Sequence, residues 1–317
     1  MQASAAPQPS TDILALGEAM IEFNEARASD AHAWLQGFGG DTSNVAIAAA
    51  RLGAHAGYIT RIGDDAFGRM FLSLWKDERV DTGGVVVDRG APTGVYFVTH
   101  GEQGHAFSYL RTGSAASRLS PAELPVEVIR NARVLHVSAI SQAISASACD
   151  AVFAAMTMAR DAGTKVSYDT NLRLSLWPLA RARATILASL GCCDWCLPSQ
   201  DDARELFASN DRDVLIARCH AAGAPVVVLK CGREGCAVSN GKRTEMLRGH
   251  AVADVDATGA GDCFDGAYAT RIVAGDDPFS AARYANAAAA LATTGFGAVA
   301  PLPRDADVRA LLATASA

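Results

Sequence analysis

Apolar runs alternate with helical segments along most of the chain. Continuous apolar runs predict strands over 13–16, 58–60, 134–137, 165–168 and 226–229. Helical patterns cover 44–52, 146–162, 178–189, 202–207 and 278–293. Because strands that alternate with helices favour parallel sheets with covered faces, this order predicts an α/β fold with a mainly parallel sheet.

Two segments interrupt that alternation. Residues 93–100 and 105–111 flank a Gly-Glu-Gln-Gly sequence at 101–104, which predicts an antiparallel hairpin. Together with a strand near 17–25, this hairpin would build a small sheet outside the main one. The alternative is an ordinary hairpin at the edge of a sheet.

The segment Asp256-Ala-Thr-Gly-Ala-Gly-Asp262 carries the clearest chemistry. A helix that begins near Gly259 would point the N–H groups of Gly259, Ala260 and Gly261 at an anion. A carboxylate at position 262 would not bind that anion, so Asp262 is expected to accept a proton from a nucleophile. The chain lacks the P-loop sequence, and the glycines do not fit a dinucleotide fingerprint. A glycine turn with a capping Asp is the structural alternative.

Composition excludes several classes of function. The chain has 317 residues, a hydrophobic content of 50%, a net charge of −6 and a pI near 5.6. This balance argues against a general nucleic-acid or membrane surface. No apolar run reaches membrane-spanning length. We therefore expect a cytoplasmic protein with a disordered tail over 1–11 and one domain over 12–317.

Eight cysteines raise the question of a metal site, chiefly at Cys192, Cys193 and Cys196. Zinc sites usually combine one Cys-x-x-Cys with a second pair or with closely spaced histidines. The seven histidines are scattered singly, so buried packing is the favoured interpretation.

Four motifs together resemble the PfkB (ribokinase-like) carbohydrate kinase family. They are the sequences at 39–46, 61–68, 256–262 and 297–303, and they extend over nearly the whole chain. The resemblance implies a ribokinase-like three-layer α/β/α fold with a small β-sheet lid over the sugar. It also implies ATP and Mg²⁺ as cofactors, Asp262 as general base and the segment 259–261 as anion hole. A homo-oligomer through the lid is expected by the same analogy.

The resemblance assigns further residues to the site. Sugar contacts are implied for Gly39, Gly40, Asn44, Asn171 and Asp262, and nucleotide contacts for Ser199, Lys230, Gly232, Gly235, Thr258, Gly259, Gly261 and Asn286. Asp202 would hold a Mg²⁺-bound water, although many relatives carry Asn-x-x-Glu where this chain has Ser199-Gln-Asp-Asp202. Asp256 matches a position that holds a monovalent cation, such as K⁺, in some relatives.

The lid residues bear on the substrate. Tyr109 and Arg111 fall on one face of a strand, Tyr96 lies on the strand before, and this pattern resembles the 2-keto-3-deoxygluconate kinase branch. Arg173 follows another strand, and its guanidinium group can bind a carboxylate or a phosphate. The structural alternative is an ion pair that holds a loop. We expect phosphorylation of a primary hydroxyl of 2-keto-3-deoxygluconate. The alternatives are a fructokinase or another hexose or pentose kinase, and an inactive sugar-binding regulatory protein.

Overall fold

The computed structural model describes residues 11–26, 33–101 and 104–315. The expected N-terminal tail lies outside these residues except for Thr11, which is the first residue of a buried strand. The sequence analysis placed Thr11 in the tail, and the structure places it in this strand.

The described residues contain two sheets. In chain order the strands are β1 (Thr11–Leu16), β2 (Met20–Glu25), β3 (Trp34–Gly39), β4 (Ala56–Gly63), β5 (Asp81–Asp88), β6 (Gly94–Gly101), β7 (Gly104–Leu110), β8 (Ala132–Ser138), β9 (Lys165–Asp169), β10 (Trp195–Cys196), β11 (Val226–Lys230), β12 (Gly235–Ser239) and β13 (Thr244–Arg248). The main sheet has the order β13-β12-β11-β10-β9-β8-β1-β4-β5, and the smaller one has the order β3-β2-β6-β7.

Helices cover both faces of the main sheet. They are α1 (Asp41–Arg51), α2 (Ala66–Asp77), α3 (Val126–Arg130), α4 (Ala139–Ala143), α5 (Ala146–Ala162), α6 (Leu179–Leu190), α7 (Gln200–Phe207), α8 (Arg212–Ala221), α9 (Ala260–Val273), α10 (Pro278–Ala292) and α11 (Asp305–Ala315). Helices α1, α2, α9, α10 and α11 share one apolar core with the sheet, and α3 to α8 share another. The predicted layers of helices around a sheet are confirmed.

The main sheet is parallel except at one end, where β12 and β13 pair antiparallel. All five strands predicted from apolar runs are present, and the helix predicted over 44–52 begins earlier, at Asp41. Strands β5, β10, β12 and β13 were not predicted. Strand β10 has only two residues, and the edge strands β5 and β13 are partly exposed, so none of these three forms a long apolar run.

The smaller sheet, called the lid sheet below, confirms the predicted hairpin between β6 and β7. Strand β2 pairs parallel with β6 and antiparallel with β3. The sequence did not predict β3, whose two glycines and exposed first residues hide any alternation. Its last residue, Gly39, leads through Gly40 into α1, which joins the lid sheet directly to the main layer.

Helices α1 and α9 approach each other at Gly266. A Cβ atom added to Gly266 would lie 2.6 Å from the carbonyl oxygen of Val45 and 2.9 Å from the Cβ of Ala48. Only a residue without a side chain fits there, because real Cβ contacts are longer. The two helices therefore cross at a distance that only small residues permit.

We expect Gly266→Ala to destabilise the protein by about 1–3 kcal/mol, since the added methyl group must push the helices apart. Urea unfolding measures this change. Gly191→Ala is the matched control, because Gly191 has φ −70° and an added Cβ there would make ordinary contacts of 3.5 Å and 3.6 Å. Equal stability of both variants would contradict the tight crossing.

Candidate active site

One large cavity opens at the carboxyl ends of the central strands, between the main sheet, the lid sheet and the start of α9. Its volume is about 1390 Å³. Open α/β sheets bind ligands at this edge. Its lining includes most of the residues that the sequence nominated, namely Gly40, Asn44, Tyr96, Tyr109, Arg111, Asn171, Arg173, Ser199, Asp202, Lys230, Gly232, Gly235, Thr258, Gly259, Ala260, Gly261, Asp262 and Asn286.

Helix α9 presents its N-terminus to this cavity. Gly259 is the residue before the first helical turn and has φ 75°, a conformation that glycine adopts without strain. The expectation of three free N–H groups was wrong for Ala260, whose N–H donates to the carbonyl of Ala257 at 3.2 Å. Within the described chain, the N–H groups of Gly259 and Gly261 have no protein acceptor. Two donors thus remain for an anion.

Asp262 lies in the first turn of α9 and is held by α1. The side-chain amide of Asn44 donates to Asp262 Oδ2 at 2.8 Å, a contact that follows from the close crossing of the two helices. Burial raises the pKa of Asp262 to about 7, and the charge of Asp41 adds to the rise, while the Asn44 hydrogen bond opposes it. A carboxyl group with a pKa near neutrality is suited to accept a proton at physiological pH.

Asp41 is a site residue that the sequence analysis did not nominate. Its Oδ2 accepts hydrogen bonds from Ser138 and, at 3.3 Å, from Asn171. Within the described residues, Asp41 Oδ1 and Asn44 Oδ1 are buried without a hydrogen-bond partner. Such acceptors are costly unless a ligand supplies donors. The position of Asp41 at the start of α1, directly after the two glycines, was the available signal.

The lid sheet supplies the aromatic wall of the cavity. Tyr96 and Tyr109 are paired across β6 and β7, with ring centroids 5.9 Å apart. The Tyr96 hydroxyl donates to Glu22 on β2, and a Cβ at Gly39 would lie only 2.3 Å from that hydroxyl. The absence of a side chain at Gly39 therefore leaves room for Tyr96 to reach across the sheet. The expected direct contact of Gly39 with sugar stays a prediction.

Arg111 is close to Tyr109, as the sequence predicted, but it is already paired. Its guanidinium lies 5.6 Å from the Tyr109 ring and forms a buried ion pair with Glu18, which also accepts from Ser114. Arg173 is exposed and donates to the carbonyl of Leu172 at 2.9 Å. The two arginines line the same cavity, yet Glu18 compensates the charge of one of them. The sequence did not predict this pairing.

The residues that the resemblance assigns to the nucleotide line another part of the cavity. Ser199 caps α7 through the N–H of Asp202 at 3.0 Å, and Gly232 and Gly235 bound the loop after β11. The amide group of Asn286 donates to the carbonyls of Leu247 at 3.4 Å and Arg248 at 2.8 Å. Its amide hydrogens therefore tie α10 to β13, so an adenine contact would have to use its oxygen.

Lys230 lies at the end of β11, deep in the cavity. Its ammonium is 3.0 Å and 3.1 Å from the two carboxyl oxygens of Asp265 and 3.2 Å from Asp169. A Cβ at Gly261 would lie 3.6 Å from the same nitrogen. Lys230 thus stands beside the N-terminus of α9. Neither acidic partner was nominated from the sequence.

The two residues nominated as metal ligands, Asp202 and Asp256, differ in their surroundings. Asp202 Oδ2 accepts from Thr170 at 3.2 Å, and burial and then the charge of Asp169 raise its pKa. A divalent cation would relieve that repulsion, so the pair of carboxylates suits Mg²⁺. Asp256 accepts from Thr258 N–H at 3.0 Å and from Gly297 N–H at 3.0 Å, so it organises the loop before α9. No group of three metal-ligating side chains occurs among the described residues.

The cysteines of the chain pack as thiols. All eight are free, and Cys193 and Cys196 are buried in the core beneath α6 and α8, as the sequence favoured.

The described residues include no helix that is long and apolar enough to cross a membrane.

The chain matches known proteins over almost its full length. It is 36% identical over 320 residues to Fructokinase-1 of Oryza sativa subsp. japonica, covering 96% of this chain and 98% of the relative. The solved PfkB protein from Polaromonas sp. JS666 is 30% identical with a TM-score of 0.85, covering 95% of this chain and 100% of that one. Fructokinase with bound ATP from Xylella fastidiosa is 25% identical with a TM-score of 0.88, covering 96% and 99%.

These similarities confirm the predicted ribokinase-like fold. The finer expectation of a 2-keto-3-deoxygluconate kinase finds no support among these relatives, which match the stated fructokinase alternative better. A model described as pfkB family carbohydrate kinase matches residues 10–305. The chain therefore belongs to the pfkB family of carbohydrate kinases.

Proposed function

We propose that this protein transfers the γ-phosphoryl group of ATP to a primary hydroxyl of a six-carbon keto sugar, with Asp262 as general base. The observation that carries the proposal is the juxtaposition of Asp262, whose pKa is raised to about 7, with the N–H groups of Gly259 and Gly261. A proton acceptor and an anion site at one helix end suit phosphoryl transfer to a hydroxyl.

Two side-chain oxygen atoms without hydrogen-bond partners among the described residues suggest that the molecule receiving the phosphoryl group would be a polyol. Asp41 Oδ1 and Asn44 Oδ1 are buried beside Asp262, and hydroxyl groups are the donors that would satisfy them. Tyr96 and Tyr109 cover the same region from the lid sheet. We infer that sugar binding satisfies these groups and places one hydroxyl at Asp262.

Fructose is the sugar that the relatives favour. The pairing of Arg111 with Glu18 supports this choice, because a compensated arginine attracts a second carboxylate weakly. The combined Arg111 and Arg173 clamp expected for a sugar acid is therefore not preformed.

A sugar acid remains the second candidate on one observation. The exposed side chain of Arg173 enters the same cavity as Tyr109 and Arg111, and guanidinium groups bind carboxylates in a fork geometry. 2-Keto-3-deoxygluconate has the primary hydroxyl that the site requires and a carboxylate that Arg173 would meet.

The reaction follows from these positions. The sugar hydroxyl gives its proton to Asp262 while its oxygen attacks the γ-phosphorus, the bond from phosphorus to the bridging oxygen breaks, and ADP leaves. Gly259 and Gly261 would donate to the transferred group, and Lys230 adds a positive charge there. Mg²⁺, held through water by Asp202, would neutralise phosphate charge when bound.

Two further expectations from the resemblance stay proposals. Asp256 would help to hold K⁺ or a similar cation in the loop before α9. The lid sheet leaves Trp34, Leu35 and Leu110 exposed by 42%, 64% and 68%, which suits an oligomer contact.

A sugar panel with ATP tests the function. We expect ADP formation with D-fructose to exceed that with ribose or 2-keto-3-deoxygluconate, and Asp262→Asn to lower turnover by about 10²–10⁴-fold with ATP affinity retained. Asp150→Asn, an exposed carboxylate on α5, is the control. No ADP with any sugar would favour an inactive sugar-binding protein. Higher activity with 2-keto-3-deoxygluconate than with fructose would favour a sugar-acid kinase. Full activity of Asp262→Asn would show that Asp262 is not the general base.

The pKa of Asp262 predicts the pH dependence. Because the base must be deprotonated, kcat/KM should rise as pH rises through about 7 and then level off. Asn44→Ala removes a donor that lowers the Asp262 pKa, so the rise should move to higher pH. A pH profile of kcat/KM at fixed ionic strength measures both effects. An unmoved profile in Asn44→Ala would contradict the control of Asp262 by Asn44.

The Arg111–Glu18 ion pair predicts how substitutions of its two members change the free energy of unfolding. Arg111→Gln leaves Glu18 buried without its cation, which should cost about 3–5 kcal/mol at pH 8. The double variant Glu18→Gln and Arg111→Gln should recover most of that loss, as measured by urea unfolding. If the double variant were no more stable than Arg111→Gln alone, the two side chains would not depend on each other.

A further inference from the structure

A buried carboxyl group behind the candidate active site takes no part in the proposed reaction. Asp265 lies one turn after Asp262 on α9, and its side chain is completely buried. Burying a carboxyl group is costly unless its hydrogen bonds are satisfied. Its hydrogen-bond partners therefore indicate why this mostly apolar buried helix carries an acidic residue there.

Asp265 belongs to a closed cluster with Lys230 and Asp169. Both oxygens of Asp265 contact the ammonium of Lys230, at 3.0 Å and 3.1 Å, and Asp169 contacts it at 3.2 Å. The two carboxyl groups also share a hydrogen bond. Lys230 spans from the end of β11 to α9, and only 12% of its side chain is exposed. Three elements thus fix one ammonium group.

This ammonium lies beside the proposed anion site, and Lys230 and Gly261 line the same cavity. A Cβ at Gly261 would lie 3.6 Å from the Lys230 nitrogen, so the charge stands at the helix N-terminus that would receive the phosphoryl group. A lysine side chain has four rotatable bonds and holds no fixed position unless it is restrained. Two carboxyl groups behind the nitrogen supply that restraint.

We propose that Asp265 is a positioning residue for phosphoryl transfer, because it holds the Lys230 ammonium against the phosphoryl group bound at Gly259 and Gly261. The proposal rests on the proposed function and deepens it. Asp265 touches no substrate in this arrangement. Preorganised charges act strongly in a buried site, since they need no rearrangement when negative charge develops.

The hydrogen bonds of the cluster decide which substitution preserves it. Burial raises the pKa of Asp265 well above its usual range, although Lys230 opposes this, and the charge of Asp169 raises it further. Burial alone would raise the pKa of Asp169, but the charge of Lys230, the hydrogen bond with Asp265 and the charge of His136 together lower it, so Asp169 is ionised at neutral pH. The carboxyl group of Asp265 accepts hydrogen bonds from Lys230 and shares one with Asp169. An asparagine can do both.

Movement of the Lys230 ammonium would also change the pKa of the general base, Asp262. Asp262 is faced by Asp41, Asp169 and Lys230, and its charge interacts with Tyr96 of the lid sheet. Lys230 is the cation of this set and lowers the Asp262 pKa. When the ammonium moves away, that pKa rises, so a larger fraction of Asp262 is protonated at neutral pH.

The test compares Asp265→Ala with Asp265→Asn, using ATP with D-fructose and, in parallel, with 2-keto-3-deoxygluconate. We expect Asp265→Ala to lower kcat by at least about tenfold with little change in KM for ATP, and to shift the rise of kcat/KM to higher pH. Asp265→Asn should keep kcat within about threefold of wild type. Thr270→Ala, which removes a buried hydroxyl from the same helix, controls for packing loss and should keep wild-type kcat.

Binding of ADP with aluminium fluoride, a mimic of the transferred group, measures the Lys230 contact without turnover. It should weaken at least about tenfold in Asp265→Ala and be kept in Asp265→Asn. Wild-type kcat and binding in Asp265→Ala, or equal losses in both variants, would overturn the proposal. An inactive wild type would overturn the proposed function instead, and the binding comparison would still decide the role of Asp265.

Discussion

The close crossing of α1 and α9 is the constraint on which the site depends. Gly266 faces Val45 and Ala48 with no room for a side chain, and this contact brings Asn44 to within 2.8 Å of Asp262. In the proposed function, one helix carries the acceptors that face the sugar, and the other carries the general base and the anion site. Their separation is therefore set by packing in the core, where small displacements are resisted by dense contacts.

A second constraint is the density of acidic groups around few cations. Asp169 and Asp265 are buried and Asp41 and Asp262 are half-buried near one cavity, and Lys230 is the cation that acts on Asp169, Asp262 and Asp265. Like charges in a buried region cannot all ionise, so their pKa values separate. Asp169 stays ionised beside Lys230, while the pKa of Asp262 rises to about 7. Burial first, and then the repulsion from Asp41, makes Asp262 able to accept a proton.

The local features of the fold and site were predictable from the sequence. The start of α9 and the lid hairpin each depend on neighbouring residues, and the structure confirms them. Arg111 lies near Tyr109 as expected, although β7 ends at Leu110, before Arg111. Contacts between distant segments were not predictable. Arg111 meets Glu18 across 93 positions, and Lys230 meets Asp265 across 35. An arginine that looks free on a strand can therefore be neutralised by a residue that the pattern does not connect to it.

In the proposed function, Asp262 receives the proton of a sugar hydroxyl beside an anion held by α9. A crystal structure with D-fructose and a nonhydrolysable ATP analogue tests it most directly. The account predicts a primary hydroxyl within about 3 Å of the Asp262 carboxyl group and the γ-phosphate at the N–H groups of Gly259 and Gly261. A sugar bound with no hydroxyl near Asp262, or a γ-phosphate away from this helix end, would contradict it.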